Sequence, residues 1–379
     1  MIYMDNAATS FPKPPEVITA VNEALNAPAS PGRSGHAASL AASRIVHKAR
    51  KNMAKIFGIK DNSRLVFCAN VTWALNIALE GFGLKTGDHL ISGPLEHNAV
   101  ARVLERMVRE KGLIWDIARP DEQGLCSPGS FKDLLRPETR LAVLCHASNV
   151  TGALAPARAI KDVLGEIPLL LDTAQTAGAM DLSDLGSWVD MIAFTGHKGL
   201  LGPTGTGGLW VRPGLDLRPL AVGGTGSASE SLEVPAFLPD ALEPGTANTH
   251  GLAGLAAGAQ VILDKGPENI RSHEMDLTMT FLTGLAGIDG LTVYGPKERE
   301  LRVSTVAIAA RGFSSSDFSA ALEKEAGIMT RAGLHCAPLA HRTLGSFPGG
   351  LTRFSFGPYN TLEEIATSVG VIKRLMESR

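Results

Sequence analysis

The chain has 379 residues and a formal net charge of −2, from 36 lysines and arginines against 38 aspartates and glutamates. Its 44% hydrophobic and 20% charged residues are typical of a globular protein and exclude a disordered chain. The near-neutral balance gives no general attraction to nucleic acid or to an anionic membrane. The four cysteines form no Cys-x-x-Cys pair, which argues against a disulfide framework and a cysteine-rich zinc site.

The N-terminal segment has no basic stretch followed by an apolar one, so it does not predict a signal peptide. The sequence contains no run of about 18 apolar residues, so it predicts no transmembrane helix. We therefore expect a cytoplasmic protein, in which free thiols are normal.

Residues 64–211 alternate short apolar runs with amphipathic stretches, which predicts an α/β fold. The stretches 71–80, 99–110 and 156–164 have the pattern of helices. The apolar runs predict strands at 65–68, 89–92, 114–117, 141–145, 169–172, 191–194 and 208–211. Nearly continuous apolar strands between helices indicate a mostly parallel sheet that is covered on both faces. In such sheets ligands bind at the carboxyl ends of the strands.

The second half of the chain predicts a smaller α+β domain after a loop rich in glycine, serine and proline at 223–248. Helical patterns at 250–264 and 269–286 precede strand-like runs at 291–294 and 303–309. The last helix has a capping-box pattern at Thr361 and Glu364. We expect a large domain over residues 15–248 and a small domain formed by residues 1–14 and 249–379.

Two neighbouring predicted strands end in polar residues that suit one cofactor. Asp172 closes the run 169–172, with Gln175 close behind it, and the run 191–194 leads into Thr195, His197 and Lys198. Pyridoxal phosphate needs a Schiff-base lysine and a carboxylate that keeps its ring nitrogen protonated. Each residue alone is an ordinary turn or surface residue, but the combination predicts a pyridoxal-phosphate site.

With this motif the chain closely resembles class V pyridoxal-phosphate enzymes, among them cysteine desulfurases and selenocysteine lyases. The resemblance runs from the opening segment 3–9 to the segment 353–355. It implies the aspartate-aminotransferase-like fold, type I of these enzymes. This fold has a large domain with a mostly parallel sheet, a smaller α+β C-terminal domain and a homodimeric assembly.

The resemblance assigns a phosphate site to the start of the helix that follows the strand 65–68. Helix N-termini offer free N–H groups and a favourable dipole to an anion. Val71, Thr72, Thr195 and His197 are the residues implied for the cofactor phosphate. Thr246, in the segment 245–248, is implied to reach the phosphate of the other subunit.

The resemblance also assigns the residues around the pyridoxal ring. It implies that His97 stacks on the ring and transfers protons, a task for which imidazole has a suitable pKa. Asn149 and Gln175 are implied near the ring hydroxyl, with Asn149 also near the substrate. Asp172 is implied at the ring nitrogen and Lys198 at the reactive carbon.

The segment 331–339 resembles an arginine-glycine-histidine-cysteine motif and implies that Cys336 is a nucleophile. A thiolate is the reactive form of cysteine, and positive charge at Arg331 or His335 would favour it. The alternative reading of a cysteine is an inert buried side chain, which fits Cys68 and Cys145 inside apolar runs but not Cys336 in a polar segment. We expect no metal site in this segment, because no fourth ligand with suitable spacing is present.

Arginine residues are the candidates for substrate binding. Arg353 is implied to hold the substrate α-carboxylate, since a guanidinium binds a carboxylate through two parallel hydrogen bonds. Arg331 is a second candidate, and Arg33 and His36 match another active-site segment of the family.

These expectations combine into one predicted activity and several alternatives. The prediction is a cysteine desulfurase that converts L-cysteine to L-alanine, leaves a persulfide on Cys336 and serves a sulfur- or selenium-acceptor protein. A selenocysteine lyase, another β-lyase or an aminotransferase of the same fold would keep the same cofactor chemistry. A nucleotide-binding oxidoreductase is disfavoured, because no Gly-x-Gly-x-x-Gly opens a helix after the first strand. A binding protein without catalysis is disfavoured by the intact Lys198, Asp172 and Cys336.

Overall fold

The computed structural model describes residues 1–27, 30–32, 35–121 and 125–378. Numbered in chain order, the strands are β1 (Ile2–Tyr3), β2 (Leu65–Cys68), β3 (His89–Ser92), β4 (Ile114–Ile117), β5 (Thr139–Cys145), β6 (Leu169–Asp172), β7 (Met191–Thr195), β8 (Gly207–Val211), β9 (Leu291–Tyr294), β10 (Thr305–Ala310), β11 (Ile328–Met329), β12 (Arg331–Gly333) and β13 (Leu351–Ser355). The helices are α1 (Pro15–Leu25), α2 (Ala37–Phe57), α3 (Val71–Gly81), α4 (Asn98–Lys111), α5 (Pro128–Leu134), α6 (Ala157–Leu164), α7 (Thr249–Lys265), α8 (Pro267–Leu285), α9 (Ser315–Ala326), α10 (Pro338–Thr343) and α11 (Leu362–Glu377).

The seven-stranded sheet has the order β2-β8-β7-β6-β5-β3-β4. Strand β8 is antiparallel to both of its neighbours, whereas β7, β6, β5, β3 and β4 are parallel to one another. This arrangement confirms the predicted mostly parallel sheet. It also brings the carboxyl ends of β5, β6 and β7 to one edge.

The side chains of the central strands point alternately to the two faces of this sheet, and both faces are covered. In β6, Leu169 and Leu171 join a core cluster that includes residues of α2, α6 and α7, while Leu170 joins a second cluster with α3 and α4. Successive side chains of a strand point to opposite faces, so a continuous apolar run needs helices on both sides. The strand ends that follow these runs are thereby held rigidly.

The smaller sheet has the order β12-β13-β10-β9 and is antiparallel throughout. Its core contains the aromatic rings of Phe281, Phe318 and Phe354, contributed by α8, α9 and β13. The predicted capping box of Thr361 and Glu364 is present at the start of α11. The N-terminal segment lies with this sheet, since β1 pairs with β11 and Asp5 bridges to β13.

Two features differ from what the sequence patterns indicate. Strand β12 lies inside the segment 331–339, whose polar sequence indicates no strand, and it is too short to show an alternating pattern. Helix α7 packs against α1 and α2 and joins the core of the large sheet, although it follows the predicted boundary at residue 248. The division of the chain into domains at that residue stays a prediction.

In the part of the chain that the structure describes, every helix is too short or too polar to cross a membrane.

Candidate active site

The site lies at the carboxyl edge of the large sheet, where β5, β6 and β7 end. Asp172 ends β6 beside Cys145 of β5, and only 5% of its surface is exposed. The backbone N–H of Ala174 donates to Asp172 Oδ1 over 2.9 Å. Burial raises the pKa of Asp172, while this hydrogen bond and the positive charge of Lys198 oppose the shift. A carboxylate in this position is suited to hold one protonated nitrogen.

Lys198 follows β7 in a tight turn, and a small cavity encloses its side chain. The residues that line this cavity come from the start of α3, the turn before α4, the ends of β5 and β6, and the turns after β5, β6 and β7. They are Val71, His97, Cys145, Ala147, Asn149, Asp172, Ala174, Gln175 and Lys198. Burial lowers the pKa of Lys198 to about 8, with Asp172 opposing the shift and Arg353 and Arg331 adding to it. A substantial fraction of this amine is therefore neutral near pH 7–8, as a nucleophile or a base requires.

His97 reaches this cavity from the start of α4, where it caps the helix. Its Nδ1 accepts a hydrogen bond from the backbone N–H of Ala99 over 3.0 Å. Burial and then the positive charges of Lys198 and Arg331 lower the pKa of His97 to about 4. The ring is therefore neutral at pH 7, and because Nδ1 accepts, the proton lies on Nε2.

The start of α3 is a candidate anion site. Strand β8 lies between β7 and β2, and a Cβ on Gly207 of β8 would approach Asn70 Cα to 2.7 Å, so these segments touch closely. Within the described residues, the buried Thr195 Oγ1 and His197 Nδ1 have no hydrogen-bond partner. Two unpartnered polar atoms beside a helix N-terminus fit a phosphate group, which would satisfy both.

Arg353 lies in β13 and is fully buried. Its Nη1 donates to the backbone oxygen of Asn149 over 2.9 Å, and its Nη2 donates to Asp5 Oδ1 over 2.5 Å. Sequence reasoning did not identify Asp5 as a site residue. Its presence in the opening segment 3–9 was the only available signal, because its partner lies 348 positions away in the chain.

Cys336 lies in the turn between β12 and α10 and is exposed, whereas Cys126 and Cys145 are buried and Cys68 is half-buried. Arg331 Nη2 lies 3.6 Å from Cys336 Sγ. Burial raises the pKa of the Cys68 thiol to about 12.

Two hydrogen bonds tie the cysteine turn to the large sheet. The backbone N–H of Asn98 donates to the Cys336 oxygen over 2.7 Å, and Asn149 Nδ2 donates to the His335 oxygen over 2.7 Å. Asn98 follows His97 directly, and Asn149 lines the Lys198 cavity. The turn that carries the exposed thiol is therefore anchored to two segments of this site.

Comparison with known proteins places this geometry in a family. The family model for aminotransferase class-V matches residues 2–367. The chain belongs to the class-V aminotransferase family. Enzymes of this family use pyridoxal phosphate.

Its relatives within the class-V family include several proteins named for one activity. A probable cysteine desulfurase of Methanothermobacter thermautotrophicus is 32% identical, over 96% of this chain and 92% of the relative. The solved apo structure of a cysteine desulfurase from Thermococcus onnurineus superposes with a TM-score of 0.93 at 29% identity, covering 100% and 95% of the two chains. The cysteine desulfurase CsdA from Escherichia coli gives 0.87 at 27% identity, covering 99% and 94%. These likenesses confirm the predicted type I fold.

Some residues predicted from the class-V resemblance lie away from Lys198 in the single chain. Thr246 is exposed and lines a separate cavity of about 580 Å³, together with Arg50 and Glu243. His36 is exposed and caps α2, where its Nδ1 accepts from the backbone N–H of Ser39 over 3.2 Å. Arg33 lies outside the described residues. The roles of these three residues stay predictions.

Sequence reasoning also missed Glu96, which directly precedes His97. It is fully buried, and its Oε1 accepts from the backbone N–H of Cys145 over 2.8 Å. Burial raises the pKa of Glu96 to about 8, with the negative charge of Asp172 adding to the shift. Nothing in its sequence position distinguishes it from a solvent-exposed glutamate.

The lowered pKa of Lys198 gives a testable pH dependence. In the protein freed of pyridoxal phosphate, labelling of Lys198 by an amine-specific reagent should rise with pH to a midpoint near 8, because only the neutral amine reacts. Peptide mass spectrometry of the labelled residue measures this curve, and exposed lysines in the same sample are the control. A midpoint for Lys198 near 10.5 would contradict the proposed environment.

Proposed function

We propose that this class-V enzyme is a cysteine desulfurase, which converts L-cysteine to L-alanine and leaves the sulfur as a persulfide on Cys336. The observation that carries the proposal is the anchored cysteine turn. It presents an exposed thiol beside Arg331, and it is joined by hydrogen bonds to segments of the cavity that holds Lys198 and Asp172. The relatives named cysteine desulfurases support the same activity.

The residues of the cavity fit pyridoxal phosphate. When bound, the cofactor supplies an electron sink that stabilises negative charge on the substrate carbon. The buried Asp172 would hold its ring nitrogen, with Lys198 at its reactive carbon. The remaining proposed contacts lie around the ring and the phosphate: Val71, Thr72, His97, Asn149, Gln175, Thr195 and His197.

Lys198 and His97 are the proposed proton-transfer residues. The Lys198 Nζ, with a pKa of about 8, is partly neutral at physiological pH and takes the proton from the substrate α-carbon. The His97 Nε2 carries a proton, because its Nδ1 accepts from Ala99. His97 can therefore donate a hydrogen bond into the site while the ring stays neutral.

Arg353 is the proposed residue that orients the substrate, because its guanidinium binds the α-carboxylate. Asp5 and the backbone of Asn149 fix its two Nη groups in place, and its Nε has no partner within the described residues. A fixed guanidinium loses little conformational freedom when substrate binds. Holding the carboxylate in this way directs the substrate sulfur to Cys336.

Sulfur transfer is a displacement at the substrate sulfur by the Cys336 thiolate. A sulfur–sulfur bond forms and the carbon–sulfur bond breaks, with the bonding electron pair remaining on the substrate carbon. That carbon then takes up a proton and alanine leaves. Arg331 Nη2, 3.6 Å from Cys336 Sγ, lies beside the attacking sulfur.

The proposal also includes a homodimer, in which Thr246 serves the cofactor of the other subunit, and a protein that accepts the persulfide sulfur. A cytoplasmic location remains part of the same proposal. A selenocysteine lyase would use the same cavity with less dependence on Cys336, because selenium leaves carbon more readily than sulfur does.

Replacing the proposed nucleophile separates cofactor binding from sulfur transfer. Cys336→Ala should keep the Schiff-base absorbance band, since Lys198 is intact. It should lose the sulfide that an added thiol reductant releases from the persulfide in the wild type, since the acceptor thiol is gone. Cys68→Ala is the matched control and should keep its activity, because Cys68 is half-buried and its thiol has a raised pKa. Full sulfide release by Cys336→Ala would contradict the persulfide route. Parallel assays with selenocysteine and cysteine sulfinate would then identify the preferred substrate.

Replacing the proposed Schiff-base lysine tests the cofactor directly. Lys198→Ala should lose the Schiff-base absorbance band and all turnover, because no other amine lines the cavity among the described residues. Lys60→Ala is the control and should keep the band, since Lys60 is exposed and does not line this cavity. A Lys198→Ala protein with the unchanged band would show that another lysine carries the cofactor.

A further inference from the structure

The turn that carries Cys336 has an unusual backbone. His335 and Cys336 have φ angles of 51° and 56°, so two successive residues with side chains lie in the left-handed region. That region is disfavoured for residues other than glycine, and such a conformation persists only where the surroundings hold it. The structure therefore has to contain interactions that fix this turn.

A row of side-chain hydrogen bonds lies directly behind the turn. Ser346 Oγ lies 2.8 Å from His341 Nδ1, His341 Nε2 lies 3.2 Å from His335 Nδ1, and His335 Nε2 lies 3.0 Å from the Arg331 oxygen. Both imidazole rings are buried. All four ring nitrogens have a partner, so we treat these three contacts as one unit, the histidine relay.

The end of the histidine relay sets the direction of every bond in it. The Arg331 carbonyl can only accept, so His335 Nε2 carries a proton. In a neutral His335 ring Nδ1 then accepts from His341 Nε2–H, and His341 Nδ1 accepts from the Ser346 hydroxyl. This arrangement satisfies each polar atom with both rings neutral. Burial lowers the pKa of His341 and lowers that of His335 to about 3, which agrees with the neutral assignment.

The histidine relay holds two residues next to the thiol, Arg331 and His335. Its final bond holds the backbone of Arg331, whose Nη2 contacts Cys336 Sγ over 3.6 Å. His335, in the middle of the relay, directly precedes Cys336 and is held to Asn149 through its own carbonyl oxygen. One continuous set of contacts therefore controls the position of both Arg331 and Cys336.

We propose that His341 and Ser346 are positioning residues for sulfur transfer, which hold the Cys336 turn and the Arg331 guanidinium in register through the histidine relay. The proposal rests on the proposed function of Cys336 as sulfur acceptor. Neither residue is expected to touch the substrate. Their loss should slow the step at Cys336 and spare the steps at Lys198.

The test compares His341→Leu, His341→Gln and Ser346→Ala in the purified holoenzyme. His341→Leu leaves His335 Nδ1 without a donor, whereas the amide of His341→Gln can still donate to it. We expect persulfide formation on Cys336 in a single turnover to slow about tenfold or more in His341→Leu and in Ser346→Ala. The KM for cysteine and the Schiff-base band should change little, and His341→Gln should recover part of the rate. His89→Leu is the control for loss of a buried histidine. His89 begins β3, so it lies at the amino edge of the large sheet, whereas the site lies at the carboxyl edge.

The outcomes separate this proposal from the function on which it rests. Persulfide rates within about twofold of wild type in His341→Leu and Ser346→Ala, or a His341→Gln rate no better than that of His341→Leu, would overturn the positioning role. If His341→Leu does not fold, Ser346→Ala decides. If the wild type forms no persulfide, the proposed function fails. The positioning role is then tested by comparing the alkylation rate of Cys336 in the wild type and in Ser346→Ala. Slower alkylation in Ser346→Ala supports the relay, and an unchanged or faster rate overturns it.

Discussion

The structure depends on placing an amine and a carboxylate out of water at neighbouring strand ends. Burial is the largest cause of both pKa shifts, downward for Lys198 and upward for Asp172, and their mutual attraction opposes it in each case. Ionised groups that are withdrawn from water without full pairing destabilise a fold. The parallel sheet supports them, because apolar helices on both of its faces hold β6 and β7 rigid. In the proposed function, pyridoxal phosphate engages both groups.

Around this pair the site is assembled from both sheets. The large sheet supplies His97, Asn149, Asp172 and Lys198, while the small sheet supplies Arg353 and the turn with Cys336. Hydrogen bonds cross between them, from Asn149 to the His335 oxygen and from Arg353 to the Asn149 oxygen. The position of the cysteine turn relative to the large sheet therefore depends on these polar contacts. This explains why the histidine relay, which lies on the small-sheet side, is expected to affect only sulfur transfer.

The sequence predicts the part of this arrangement that depends on local patterns. Apolar runs of strand length locate β6 and β7. Asp172 is the last residue of β6, and Lys198 follows β7 by three residues. Contacts between residues distant in the chain could not be predicted in this way. The pairing of Asp5 with Arg353 is such a contact. The row from Ser346 to Arg331 joins residues only four to six positions apart, but it depends on side-chain directions that only the folded chain determines. Thr246 marks a different limit, since its proposed role requires a second chain.

A single-turnover reaction with L-cysteine in the absence of any sulfur acceptor tests the central claim most directly. Alanine is quantified, and the cysteine-containing peptides are examined by mass spectrometry. The account predicts one alanine per active chain and one additional sulfur atom, located on the peptide that contains Cys336. Alanine formed with the extra sulfur on another cysteine, or with none retained by the protein, would contradict it.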